Sequence, residues 1–528
     1  MKLAAAALLG ALCCLLSATA PASEIITSDI CIYGGTAAGV VAGVEAARLG
    51  KTAVIAEFGY HLGGMSSGGL SQTDIGNKAA IRGIAREFYR RMGQHYGKDE
   101  QWSFEPSVAE KIFFQMVNEA RVPVYFHQRL AAVKKEGARI VEITMENGKT
   151  YRAKMFIDAS YEGDLMAKVG ISYAVGREAN SQYGETLDGV RPQTPKHQFT
   201  VPVDPYVKPG DPASGLLPFI QPGEGSVPGA GDHAVQAYNF RLCLTRNPAN
   251  QRPIEPPANY DPARYELLAR YVETLVAAGK TPKLGDLMHI QPMPNGKTDI
   301  NNNGGFSTDF IGANYEYPEA NFAHREEIWR EHEDYTRGFL HFLATSSRVP
   351  ESIRREMQSW GLANDEFRDT GGWPHQLYIR EARRMISDYV MTEHNCRDSL
   401  KLPDAVGLAA YTMDSHNCQR IVKNGHVENE GDTQIGGFPP YPIAYRSIIP
   451  KSGECENLLV PVCLSATHIA YGSIRMEPVF MVLGQSSAVA ASEAIDEKVS
   501  LQTVSVEALQ ARLLAERQVL EWTGNSRK

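Results

Sequence analysis

Cysteine is scarce and scattered. Of the eight cysteines of the 528-residue chain, the six beyond the adjacent Cys13 and Cys14 include no CxxC pair and no tight cluster. That excludes a dithiol-using active site, a zinc site of the usual spacing and an iron–sulfur centre. Basic residues form no long run, and the net charge is −8. Nucleic acid and anionic membrane are therefore excluded as partners, because both require concentrated positive surface. There is no internal repeat and no low-complexity tract, so a solenoid is excluded as well. Beyond the first 22 residues no segment approaches the run of about 20 apolar residues that a bilayer requires, so no membrane span is expected there.

The first 22 residues stand apart. Lys2 supplies a positive start, Leu3 to Leu16 is uncharged, and Ala20-Pro21-Ala22 puts small residues where a signal peptidase reads. This is the layout of a signal peptide, so the mature chain is expected in the periplasm or outside the cell. An uncleaved anchor would need a longer run, and lipidation at Cys13 or Cys14 would need a small residue before the cysteine. Six cysteines then remain: Cys31, Cys243, Cys396, Cys418, Cys455 and Cys463. They are expected as buried thiols with one or two disulfides among them.

The mature chain opens on a β-branched apolar run, Ile25–Tyr33. A Gly-rich turn, a small-residue helix over 38–49 and a second strand over 52–57 follow. Strand–turn–helix–strand is the front of a doubly wound parallel sheet. Residues 123–126, 140–145 and 150–157 read as further strands, with Glu146-Asn147-Gly148 as a hairpin turn between the last two. The fold expected is α/β, a Rossmann-type dinucleotide-binding domain (doubly wound parallel sheet with a β-meander), interrupted by a mixed α+β substrate or cap domain. The boundaries expected are 23–190 and 446–528 for the first domain and 191–445 for the insertion. Helices are expected over 263–278, 325–344 and 477–494, a strand over 457–464 and an amphipathic segment over 506–522.

The first chemical motif is Gly34-Gly35-Thr36-Ala37-Ala38-Gly39. Against the dinucleotide pattern GxGxxG, Gly34 is the first glycine, Thr36 stands at the second and Gly39 is the third. The first glycine makes the tight turn. The third lets helix and strand approach, so that helix N–H groups face a pyrophosphate. Glu57 ends the next strand, where its carboxylate can accept from ribose hydroxyls. The segment His61-Leu62-Gly63-Gly64-Met65-Ser66-Ser67-Gly68-Gly69 has backbone able to lie against a large flat ligand, which favours flavin over nicotinamide. Gly63, Gly64, Met65, Ser67 and Gly68 are candidates for that contact, and His61 is a candidate for a covalent flavin link.

Several separated motifs in the same order then point one way: GGTAAGV, HLGGMSSGGL, IDASYEGDLMA, VGREANSQYGE, QLYIREARRM, YTMDSH and ATHIAYGSIRMEPVFMVLGQS. From about Ile32 to Ala491 the chain resembles a family of FAD-dependent oxidoreductases found among bacterial exported proteins and sometimes given the label xanthan lyase-like. The resemblance implies FAD as cofactor and an oxidoreductase activity. Thr36 in place of glycine is usual in that family.

Three further patches fit a flavin. Ala159 and Ser160 end an apolar strand with small side chains, and Glu162-Gly163-Asp164 follows, with Asp164 a cofactor candidate. Arg475, Met476 and Glu477 lead into the last long helix, where Pro478 suits a first turn and the N-terminus can stabilise negative charge on a reduced flavin. For the chemistry, His468 is the candidate base, with an ordinary pKa near neutrality. Arg475 would stabilise the reduced flavin or an anionic substrate. His416 is a second histidine candidate, and Tyr378 and Arg380 would bind the far side of the substrate. Asp299-Ile300-Asn301-Asn302-Asn303-Gly304 imitates a calcium loop, but Phe310 stands where its twelfth-position Glu belongs. A polar surface turn is expected there, and no metal site. The activity expected is hydride transfer between flavin and a small organic substrate, sugar-derived compounds among them, with an electron acceptor of undetermined kind. The competing classes are a flavin-independent polysaccharide lyase or hydrolase on a similar scaffold and a non-catalytic exported nucleotide- or sugar-binding protein.

Overall fold

A computed structural model of the chain describes residues 24–524 apart from Gln193, Glu224 and Ser226. The signal peptide expected over 1–22 lies outside the described residues. The central sheet contains β1 (Ile25–Tyr33), β2 (Ala53–Ala56), β3 (Val124–Tyr125), β4 (Leu130–Glu136), β5 (Arg139–Met145) and β6 (Thr150–Asp158). Their order is β3-β2-β1-β6-β5-β4, and the short strand Leu458–Leu459 adds to β6. β1, β2, β3 and β6 run parallel. β4, β5 and β6 form an antiparallel meander, turned at the Asn-Gly signal. This is the Rossmann-type sheet with a meander.

Helix α1 (Ala37–Arg48) crosses from β1 to β2, and ten of its twelve residues are buried. Ala, Gly and Val dominate it because it is covered on two sides. The sheet lies against one face: a Cβ at Gly43 would meet Ile55 and Val122 at 3.2 Å. On the other, the Glu477–Glu497 helix packs so closely that a Cβ at its Gly484 would collide with the Ala38 carbonyl. That second helix is buried almost throughout, as expected of a helix apolar all round.

Residues from about 190 to 445 build short antiparallel pairs, including Met288–Pro292 with Thr298–Asn302 and Gln419–Lys423 with His426–Glu430. The long helix Phe322–Thr345 packs against the Glu351–Gln358 helix and the Pro262–Tyr265 turn of the same region. One apolar cluster runs through both regions, holding Ile32 and Leu483 together with Tyr238 and Leu343. Among the described residues no helix is long and apolar enough to cross a membrane.

Several sequence expectations need correction. The strand over 457–464 shrinks to Leu458–Leu459, because Pro461 has no N–H for a ladder. The helix over 263–278 begins as a 3₁₀ turn, Pro262–Tyr265, and becomes α-helical only at Glu266. The segment over 506–522 is helical only for Val506–Ala515. The six described cysteines are all free and buried, so no disulfide forms. The turn expected around Asp299 is instead a buried strand, Thr298–Asn302. There Asp299 takes a bidentate pair of bonds from Arg241 at 2.7 and 2.9 Å.

A buried lysine ties the two regions. Lys297 Nζ lies 2.6 Å from Glu105, 2.8 Å from Asp365 and 2.6 Å from Glu366. Its ammonium fills the centre of a three-carboxylate group that could otherwise hold a cation. Removing one charge from such a buried set strands the rest. Lys297→Met is therefore expected to lower unfolding free energy by about 3–5 kcal/mol in urea denaturation. A loss below about 1 kcal/mol, the scale of an exposed pair, would contradict this placement.

Candidate active site

The turn after β1 is built by absence of side chains. Gly34 has φ +103°, and a Cβ on it would lie 2.8 Å from the Ala159 and Ser160 backbone at the end of β6. A Cβ at Gly39 would collide with the Gly34 carbonyl oxygen. Thr36 explains why a glycine is dispensable at the middle position. It is the N-cap of α1, its hydroxyl donating to the Ala159 carbonyl at 2.7 Å and accepting from Gly39 N–H at 3.3 Å. A β-branched cap of this kind aligns the helix start without filling the turn. Ala38 lies in the first helical turn beside it.

Glu57, just past β2, accepts from Gly35 N–H at 2.5 Å and Gly59 N–H at 2.6 Å. Burial pushes its carboxyl up to about 7, against those two N–H groups and His61. Two lone pairs remain beyond the backbone bonds. The turn, the helix N-terminus and this carboxylate thus form a cradle that side chains would have filled.

The cradle opens into a cavity of about 490 Å³. Gly35, Thr36, Glu57 and Gly64 line it at one end, and Tyr161, Glu162, Phe240, Tyr317, Trp329 and Trp373 at the other. A dinucleotide extending from the pyrophosphate turn therefore has a continuous path, and the residues present fit FAD. Within the Gly-rich segment, Gly63 takes φ +100° and pairs by a bridge with Thr36. Ser67 donates to the Leu62 carbonyl at 2.5 Å, and Gly68 leaves room for Gln376. Met65 N–H donates to Tyr161 Oη at 2.8 Å, and Tyr161 donates to Glu477 at 2.6 Å. Met476 caps the last long helix, and Glu477 begins it. The helix start and the Gly-rich segment are thereby joined through a cavity-lining tyrosine.

Gly64-Met65-Ser66-Ser67-Gly68 also has the GxSxG spacing of a hydrolase elbow. Here Ser66 lies in a 3₁₀ turn and bonds Glu477 at 3.3 Å, with none of the strand-to-helix geometry an elbow requires.

Asp164 does not line the cavity. Arg325 takes both of its oxygens, at 2.7 and 2.9 Å, and Arg383 approaches at 2.9 Å. Burial alone would raise its carboxyl, but these guanidinium groups hold it down. Glu162, two residues earlier, faces the cavity instead. His61 lines it too, stacked on His375 at 3.6 Å between ring centres. Its Nδ1 meets Glu110 at 2.8 Å and its Nε2 Asp369 at 3.2 Å.

The candidates for chemistry come together, but away from the cavity lining. Arg475 donates to Tyr378 Oη at 2.7 Å and faces Asp414 at 3.4 Å. Arg380 lies over the same Tyr378 ring at 4.8 Å and pairs with Asp309 at 3.0 Å. His416 Nδ1 meets Asp309 at 2.8 Å. Burial and the nearby Arg380 push its imidazole down to about 3, so it stays neutral. His468 opens a short helix, His468–Ile474, ahead of the last long one. Its Nδ1 meets Glu381 at 2.8 Å and its Nε2 meets Ser415 Oγ at 2.9 Å. Neither nitrogen is left to take a proton from a bound molecule, which corrects the role expected for it. None of these five residues lines the cavity. The Gly-rich segment touches both places, since Gly64 lines the cavity and Gly69 abuts the Arg241 backbone.

Sequence reasoning missed Tyr161, Phe240, Tyr317, Trp329 and Trp373. They come from segments far apart in the chain, and no local spacing marks them.

A parallel sheet carrying a glycine turn, a buried carboxylate beside it and a cavity that opens from both is the architecture of a dinucleotide-binding protein. The chain belongs to the family described as FAD dependent oxidoreductase, whose profile matches residues 29–513. It uses FAD, and the flavin-independent alternatives fall away. No curated protein matches. Among solved structures, the flavin-dependent brominase Bmp2 is 16% identical over 29% of this chain and 42% of its own, with a TM-score of 0.23. A 3-ketosteroid-delta4-(5alpha)-dehydrogenase from Rhodococcus jostii RHA1 is 14% identical over 29% and 50%, with a TM-score of 0.20. The p-nitrophenol 4-monooxygenase PnpA of Pseudomonas putida DLL-E4 is 12% identical over 30% and 45%, with a TM-score of 0.23. Each match spans less than two thirds of the other chain, and likenesses of this size do not bear on the chemistry here.

Glu57→Ala should weaken FAD binding by about 10- to 100-fold, the loss of charged hydrogen bonds to a ligand, in a titration of apoprotein. Undiminished affinity would contradict the cradle. A second expectation concerns pH. Burial pushes Glu477 from 4.5 up to about 7, against bonds from Tyr161 and Ser66, and Glu57 behaves likewise. The folded apoprotein therefore holds protons that the unfolded chain has released between pH 4.5 and 7. Stability falls as pH rises through that window. Glu477→Gln should flatten the fall in thermal melts of apoprotein, and an unchanged slope would contradict the assignment.

Proposed function

We propose that this FAD-dependent oxidoreductase moves a hydride between flavin and a small organic substrate admitted to the cavity beyond the cradle. The observation that carries this reading is continuity: one cavity runs from Gly35, Thr36 and Glu57 to the aromatic residues around Phe240 and Trp373. Bound FAD supplies two-electron oxidation and reduction there. The chain's own groups bind and orient. Gly34 and Gly39 would bring the pyrophosphate against the N–H groups of α1, Glu57 would accept from ribose hydroxyls, and Gly64 lends the Gly-rich segment to the cavity lining. Tyr378, Arg380, His416, Arg475 and Asp309 form a fixed polar scaffold that holds the Gly-rich wall through Arg241.

Export belongs to the same proposal, with cleavage near Ala22. It is supported by the charged, apolar and small-residue order of the first 22 residues. N-terminal sequencing of protein from the native envelope should begin at about residue 23, whereas an intact Met1 on cytoplasmic protein would contradict export. Hydride transfer is tested in oxygen-free solution. An organic substrate that bleaches the flavin band should do so severalfold more slowly when deuterated at the reacting carbon. Bleaching that is insensitive to deuterium under single-turnover conditions would contradict transfer of that hydrogen in the rate-limiting step.

A further inference from the structure

A pocket separate from the cofactor cavity carries an unmatched positive charge. It has a volume of about 580 Å³ and shares no lining residue with that cavity. Five arginines and two glutamates line it, in a chain whose net charge is −8. Both glutamates are already taken. Glu87 pairs with Arg48 at 2.9 Å and, from outside the pocket, with Arg91 at 2.8 Å. Glu516 pairs with Arg512 at 3.0 Å, also from outside. Arg86 is committed to Glu100, and Arg90 lies 3.5 Å from the same carboxylate. Arg82 and Arg517 have no acidic partner among the described residues, and both are exposed, so a ligand in solution reaches them. Arg82 bonds the Ala79 carbonyl through Nε at 3.3 Å, which leaves both terminal nitrogens of its fork free.

These two arginines lie far apart in the chain and meet at one point. Arg82 precedes Gly83 and Arg517 precedes Gln518, and a Cβ on Gly83 would lie 3.3 Å from Cγ of Gln518. Gln518 Nε2 donates to the Val482 carbonyl at 3.1 Å, and Gln485 Oε1 accepts from Ile84 N–H at 3.0 Å. The C-terminal segment and the start of the Gly83–His95 helix are thus both fixed to the Glu477–Glu497 helix. The point where they meet is short of negative charge. Arg82 is the N-cap of the Gly83–His95 helix, it makes no side-chain cap bond, and no acidic residue stands in the first turn. An N-cap favours Asp, Asn, Ser or Thr, because the positive end of the helix dipole lies there. A guanidinium at that end, with a second one beside it, is repelled by its surroundings until an anion joins them. Arginine forks take phosphate or carboxylate oxygens in pairs.

We propose that this pocket binds a small multivalent oxyanion, its phosphate or carboxylate groups held between the forks of Arg82 and Arg517 at the start of the Gly83–His95 helix. The occupant binds alongside FAD, not in its place. Gln485, on the pocket wall, follows Gly484, the residue packed against Ala38 of α1. Arg48, on the same wall, ends α1. Binding therefore stabilises the block of helices that carries the cradle, because it favours the folded arrangement over the unfolded chain.

The test uses holoprotein, so that the FAD cradle is filled and cannot take up the probe. Pyrophosphate and citrate are titrated by calorimetry at constant ionic strength. At least one of them should bind saturably, one per chain, and the tighter binder tells a phosphorylated ligand from a polycarboxylate. Arg82→Gln and Arg517→Gln should each weaken that binding about 10- to 100-fold, the scale of hydrogen bonds to a charged group, with FAD content unchanged. Arg355→Gln removes the same charge from an exposed pair elsewhere and should leave the affinity unchanged. The bound anion should raise the melting temperature of the wild type and not that of the Arg82→Gln, Arg517→Gln double variant. Absence of saturable binding by both probes, undiminished affinity in the double variant, or equal weakening by Arg355→Gln would overturn the proposal.

Discussion

The structure depends on a contact that tolerates no side chain, the approach of α1 to the turn after β1. Gly39 sits against the Gly34 carbonyl, Gly34 against the end of β6, and Gly484 of the last long helix against Ala38. These approaches lock sheet, first helix and last helix into one block, although the last helix lies more than 400 residues from the turn in the chain. They also leave the α1 N-terminus bare. Packing and cofactor binding are therefore satisfied by the same missing Cβ atoms, and neither can be altered alone.

Around that block, charge is buried in matched sets. Lys297 is enclosed by three carboxylates, Arg241 is paired with Asp299, and Arg325 and Arg383 share Asp164. Such sets contribute little net stability compared with apolar packing, but losing one member is costly. They join the sheet to the segments that cover it.

Much of the fold was legible in the sequence. The bounds of β1 match the apolar run, α1 and β2 fall within a residue or two of expectation, and the Asn-Gly turn lies between β5 and β6. Short-range chemistry sets all of these: β-branched runs, small-residue helices and turn dipeptides. Thr36 was legible as a tolerated departure from glycine, yet its capping role needed the Ala159 carbonyl, 123 residues away. The site was less legible. Asp164 drew attention by its place in a motif, but Arg325 and Arg383 claim it from distant segments. His468 had a suitable ordinary pKa, but Glu381 and Ser415 close both ring nitrogens. Asp299 looked like part of a surface turn because its neighbours are polar, whereas its partner Arg241 lies in another strand-like segment. Which polar atom is free in a folded chain depends on long-range partners that no local pattern records.

The central claim is that the side-chain-free turn holds the FAD from which the cavity chemistry proceeds. The most direct measurement is the visible spectrum and flavin stoichiometry of purified protein, taken alongside folded Gly39→Leu. The account predicts one FAD per wild-type chain, and a variant with native circular dichroism and no flavin band. A Gly39→Leu protein that folds and retains a full complement of flavin would contradict it.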